Sequence, residues 1–151
     1  GVFEKDDPAE LTDHYRYKIN IDRAEKVLRT GSSSAFTLYP LMSGGIYQLV
    51  PSGLEPEVEV ESTCSNGSVS EEYEIRLPAK MKVLSIPKNL NLDTRYQTYK
   101  SSYQLKKNVL TAKRTFEDTT PVIVCSPAML REFIRFGAKV TESLKEQILY
   151  K

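Results

Sequence analysis

EEYEIRLPAKMKVLSIPKNLNLDTRYQTYKSSYQLKKNVLTAKRTFE, residues Glu71 to Glu117, is the stretch whose reading decides the fold. Tyr73, Ile75 and Leu77 alternate with Glu72, Glu74 and Arg76, a period of two that sets one face on a core and the other in water. Pro78 closes that run. Val83 to Ile86 opens a second, which Pro87 stops, and Leu90 and Leu92 mark a third. Tyr99, Ser101, Tyr103 and Leu105 then alternate with Lys100, Ser102 and Gln104. Lys106-Lys107-Asn108 is short and polar enough to turn the chain, and Val109 to Phe116 returns. Hairpin-linked strands of this kind predict an antiparallel sheet with one wet face.

Upstream of this stretch, residues 1–10 are charged and contain Pro8, which reads as a linker or N-terminal arm. Tyr15, Tyr17, Ile19 and Ile21 alternate with Arg16, Lys18 and Asn20, a strand signal. Arg23 to Arg29 suits one helical turn or a bent continuation, and Gly31-Ser32-Ser33-Ser34 reads as a flexible connection. Ala35 to Leu41 and Ile46 to Val50 read as strands around a Ser43-Gly44-Gly45 turn. Val58 and Val60, between Glu57, Glu59 and Glu61, predict a strand with an acidic, solvated face. Ser65-Asn66-Gly67-Ser68 is the best hairpin turn, because Asn-Gly readily takes positive φ.

Downstream, a loop from Glu117 to Pro121 leads into Val122-Ile123-Val124, read as a buried run. Ser126 can cap a helix, and Pro127 suits its first position, where a missing N–H is no loss. Leu130, Phe133, Ile134, Gly137, Thr141 and Leu144 fall on one face, with Met129, Phe136 and Val140 beside it. Ile148-Leu149-Tyr150 reads as a short closing strand. The expected architecture is mainly β: an antiparallel β-sandwich of about seven to nine strands with one C-terminal helix packed on it. Residues 11–151 form a single domain in this reading, with the helix at 127–145.

With 40% hydrophobic and 27% charged residues the composition is that of an ordinary globular chain. A net charge of +1 gives no basic excess, so no nucleic-acid partner is expected. No apolar run approaches the ~20 residues that a helical membrane span needs. The start, from Gly1 to Pro8, lacks the basic and apolar regions of a signal peptide, and Gly1 without a preceding Met suggests a removed leader or an excised piece. Oligomeric state leaves no mark on the sequence.

Cysteine chemistry has two residues to work with, Cys64 and Cys125. In an oxidising compartment they can pair, and closing a loop of about 60 residues would stabilise by about 4 kcal/mol. The other reading is two free thiols, one after a buried strand and one in a loop. A thiolate at Cys125, just ahead of the helix, would need a base, and His14 is the only histidine. Glu55, Glu57, Glu59 and Glu61 line one side of a strand, as do Glu72 and Glu74, but a calcium loop's closely spaced Asp, Asn and Gly are missing, and a solvated face explains them. Gly44-Gly45 is not followed by the lysine and hydroxyl of a phosphate loop, and no serine sits in a glycine-flanked elbow. No catalytic set, metal site or cofactor is therefore expected. Asn66-Gly67-Ser68 formally matches a glycosylation acceptor, which the turn also explains. Tyr96, Tyr99 and Tyr103 cluster in one strand region. Exposed, they would be binding residues for a carbohydrate or peptide; facing inward, they are core.

Four stretches together resemble one family. Leu11 to Ile21 is similar to its opening strand. Glu72-Tyr73-Glu74-Ile75-Arg76-Leu77-Pro78 followed by Val83-Leu84-Ser85-Ile86-Pro87 resembles its strand ending in leucine-proline and the next ending in proline. Tyr99 to Arg114 resembles its tyrosine-rich hairpin, and Pro127 to Phe136 its helix. The family is the C-terminal β-domain of bacterial transglutaminase-like multidomain proteins, usually exported. The resemblance implies a non-catalytic accessory module, periplasmic or extracellular, whose partner is the neighbouring transglutaminase-like domain of the same parent chain. It implies packing on that domain or presenting substrate to it. The Cys-His-Asp set lies in the neighbour, so no catalytic residue carries over. The chain departs from the pattern in its longer region between Thr30 and Pro56 and in Cys125 before the helix.

Overall fold

The computed structural model describes residues 2–5, 17–20, 28–30, 33–38, 45–50, 59–64 and 66–151. In chain order the elements are β1 (Val2–Lys5), β2 (Tyr17–Asn20), β3 (Leu28–Thr30), β4 (Ser33–Thr37) and a single helical turn, α1 (Ile46–Leu49). There follow β5 (Ser62–Thr63), β6 (Gly67–Arg76), β7 (Val83–Ser85), β8 (Leu90–Asp93), β9 (Gln97–Lys106) and β10 (Val109–Asp118). The chain then runs through β11 (Val124–Cys125), α2 (Pro127–Leu144) and β12 (Gln147–Tyr150). The fold is mainly β, built from antiparallel sheets with one C-terminal helix, as the alternation predicts.

The larger strands form a sheet in the order β6-β10-β9-β8. Period-two burial runs through it: Leu110, Ala112, Arg114 and Phe116 of β10 are buried, and so are Gln97, Tyr99, Ser101 and Tyr103 of β9. The register aligns these residues in rows across the three long strands. Tyr73, Ala112 and Tyr103 make one row, and Glu71, Arg114 and Ser101 the next. The β9–β10 hairpin turns at Lys107, whose φ of 53° is the one positive value at a non-glycine residue among those described. Just ahead of β8, the Asn89 side chain extends the ladder, its Oδ1 accepting from the Tyr103 N–H at 2.8 Å.

The stretch that decides the fold is nevertheless not one continuous meander. Only β8, β9 and β10 follow one another across the sheet; β6 adds on the far side of β10. A tight turn, with the Met81 N–H donating to the Pro78 carbonyl, sends the next segment away, and β7 joins a second sheet in the order β3-β4-β12-β7. The C-terminal strand lies inside that second sheet, between β4 and β7.

Both covers of the large sheet lie on its buried face. The second sheet covers one half, with Leu38 and Ile148 packed on Tyr73, Tyr103, Leu110 and Ala112. Helix α2 covers the other half, with Phe136, Val140 and Leu144 packed on Tyr99 and Phe116 alongside Ile46 and Val50. Ser126 caps α2, its hydroxyl accepting from the Met129 N–H at 3.4 Å, and Pro127 opens it. The buried stripe of the helix runs through Leu130, Phe133, Phe136, Gly137, Val140 and Leu144; Ile134 and Thr141, placed on that stripe by the sequence, sit half-buried at its margin.

Several local expectations are corrected. Residues 1–10, read as an arm, contain β1, which pairs with β2. Ile46–Leu49 is helical rather than extended, because its buried Ile46 needs only one turn to reach the core. Glu59 to Glu61 is irregular and exposed rather than a strand; Glu55, Glu57 and Val58 lie outside the described residues. Asn66-Gly67 joins strands of different sheets, so it is no hairpin turn, and the Asn66 side chain donates instead to the Thr120 carbonyl at 3.2 Å. Val122, Ile123 and Val124, read as buried, are 43%, 80% and 52% exposed.

Candidate functional site

The cysteines come together through short pieces of strand. β5 pairs antiparallel with β11, placing Cys125 opposite Ser62, and the Cys64 N–H donates to the Ile123 carbonyl at 2.7 Å. Cys64 and Cys125 form a disulfide with their Cα atoms 5.8 Å apart, within the usual span for such a bridge. Cys125 is fully buried against Leu130 and Phe133. It holds no free thiol for catalysis, and His14 lies outside the described residues. Among the described residues no three His, Cys, Asp or Glu side chains gather as a metal site.

The tyrosine cluster divides. Tyr99 and Tyr103 are buried, at 0% and 6% exposure, because they share the inward parity of β9. The carbohydrate- or peptide-binding reading requires them outside, and that requirement is not met. Tyr99 instead meets Ser143 of α2 through their hydroxyls, 3.3 Å apart. Tyr96 alone is half-exposed, with the Arg95 guanidinium 5.0 Å from its ring centroid.

Where the two covers of the sheet meet, the inner face carries a charge. Arg114 is 1% exposed, and its guanidinium carbon lies 5.7 Å from the ring centroids of both Tyr73 and Tyr103. Ala112, small and central in the row of those tyrosines, leaves space between the two phenols. Arg114 Nε donates to the Tyr103 hydroxyl and Nη1 to the Leu38 carbonyl, both at 3.0 Å. Nη1 also lies 3.9 Å from a Glu71 carboxylate oxygen. That carboxylate accepts from the Ile46 N–H at 2.9 Å and from the Tyr73 hydroxyl at 3.1 Å. Burial, reinforced by the negative charge of Glu71, pushes the Tyr73 phenol above its ordinary range. Burial also raises Tyr103, against an opposing pull from Arg114.

Beside this row opens a cavity of about 530 Å3. Arg114 and Glu71 lie on its sheet side, Leu38 and Gln147 come from the second sheet, and Leu144 and Lys145 from the end of α2. The sequence reading passed over Arg114. Its only signal is a charge standing at an inward position between Ala112 and Phe116, where the alternation calls for an apolar residue.

The geometry is that of a small β-domain clamped by a disulfide and covered by one helix. Residues 59–150 match the family described as a Domain of Unknown Function with solved-structure structure (DUF3858), and the chain belongs to that family. No curated protein matches the chain. A solved structure described as a "putative protease" from Parabacteroides distasonis ATCC 8503 is similar in fold, with a TM-score of 0.65 and 16% identity over 85% of this chain. The chain spans about a quarter of that protein's length, 24%. No helix among the described residues is long and apolar enough to cross a membrane.

Proposed function

We propose that the chain is a non-catalytic module of a larger bacterial protein, packing on a transglutaminase-like, cysteine-protease-like domain or presenting substrate to it. The observation that carries this reading is the exposed apolar run Val122-Ile123-Val124 leading into the disulfide-clamped β5–β11 ribbon. Exposed apolar side chains on a rigid edge are what a neighbouring domain covers. The likeness to a protein about three and a half times as long, described as a "putative protease", supports a neighbour of that kind. The Cys64–Cys125 bridge supports an oxidising compartment, periplasmic or extracellular.

The test is made in the parent chain. Mixing the separately produced 151-residue chain with the remainder of its parent is expected to give a complex on gel filtration, and Ile123→Lys in the module is expected to abolish it. A parent with no Cys-His-Asp domain, or a complex indifferent to Ile123→Lys, removes the reading.

A further inference from the structure

Independently of that docking role, the cavity at the junction of sheet, helix and second sheet has the makings of a ligand site. Arg114 carries a full charge in a position almost sealed from solvent, and a buried charge is stable only when paired and fully hydrogen-bonded. Its pairing here is incomplete. Nε and Nη1 are engaged by the Tyr103 hydroxyl and the Leu38 carbonyl, while Nη2 is buried with no hydrogen-bond partner among the described residues. Glu71 pairs with it only loosely, 3.9 Å from Nη1, while its two oxygens also accept from the Ile46 N–H and the Tyr73 hydroxyl. Arg114 and Lys145 against Glu71 leave the cavity lining one positive charge in excess. Its volume, about 530 Å3, falls in the range of small-molecule sites.

We propose that this cavity binds a small organic carboxylate, its charged end drawn to the Arg114 guanidinium, whose sealed Nη2 turns toward the cavity to meet it, and its apolar body lying against Leu38 and Leu144. One free guanidinium nitrogen suits a carboxylate better than a phosphate, whose three anionic oxygens would find too few donors. Lys145, exposed at the end of α2, adds long-range attraction at the rim.

Calorimetric titration of the 151-residue chain with butyrate and benzoate, beside butyramide, benzamide and inorganic phosphate at matched ionic strength, tests the proposal. The carboxylates are expected to bind at millimolar concentrations and the amides about tenfold more weakly, the effect of losing one charge-assisted hydrogen bond. Arg114→Lys is expected to remove that preference. Because a buried substitution can unfold the chain, Lys145→Gln serves as the second variant, weakening carboxylate binding about twofold without touching the amides. Equal binding of acids and amides, phosphate binding ahead of both, or no heat with any carboxylate overturns the proposal. So does a crystal structure grown with benzoate that shows an ordered water alone on Nη2.

Discussion

Two regions of this molecule invert the usual partition, and they do so in opposite directions. The row Glu71–Arg114 puts charge inside, under the junction of helix and second sheet, whereas Val122-Ile123-Val124 puts apolar side chains outside on a two-strand ribbon. The buried row is tolerated because neighbouring groups answer most of it: two phenols flank the guanidinium, a carbonyl accepts from it, and a carboxylate lies nearby. The exposed run has no such answer within the described residues. It is tolerated because the disulfide beside it fixes the backbone whether or not the side chains are covered. A polar interior needs partners in the chain; an apolar exterior needs a clamp.

Breaking the clamp is expected to have the largest effect. Replacing both Cys64 and Cys125 by serine should lower unfolding free energy by about 4 kcal/mol, read as a shifted urea midpoint. The buried row comes next. Arg114→Met strands the Leu38 carbonyl and leaves the Glu71 carboxylate without its cation, and should cost about 3 kcal/mol by the same measurement. Tyr73→Phe removes one hydrogen bond to Glu71 and should cost about 1 kcal/mol near neutral pH.

That variant also sharpens the comparison through pH. The folded state holds the Tyr73 phenol protonated more firmly than the unfolded chain does, and Tyr103 is shifted the same way. Their contribution is therefore complete below the ordinary phenol value of about 10 and is lost as pH climbs toward the raised folded values. Thermal midpoints should fall on the alkaline side of pH 10, and less steeply in Tyr73→Phe. Ile123→Lys should sit at the other extreme, within about 0.5 kcal/mol of the unsubstituted chain, since a side chain 80% exposed contributes little to the fold itself. A large loss there would mean that the exposed run supports the domain rather than serving a neighbour.

The long strands and the long helix were legible because each repeats its period many times. β6, β9 and β10 each offer ten residues of alternation, and α2 offers a capped eighteen. The short elements offer no such repetition. Ile46–Leu49 is four residues long, too few to tell a turn of helix from a strand, and tertiary contact decides it. Strand partners were not legible either. Nothing in Val83-Leu84-Ser85 states that it leaves its neighbours in sequence for a strand more than sixty residues later. Val122-Ile123-Val124 misled for a different reason, since hydrophobicity reports what a side chain avoids and not whether the fold obliges it. Of the cavity, only the out-of-pattern Arg114 left a signal in the sequence, and the reading passed over it. The walls that make it a site come from α2, β12 and the segment after β4, which only the folded chain brings together.

The position of β12 has a consequence for the order in which the molecule can be made. Its four residues bridge β4 and β7, so β7 has no partner strand, and β4 only β3, until Gln147–Tyr150 arrives. On a ribosome that strand is the last described element to emerge. Until it does, Phe36 and Val83 have no Ile148 to pack beside, and the adjoining half of the large sheet stays uncovered. The core between the two sheets is thus completed last among the described elements, and the chain carries open strand edges until β12 is in place.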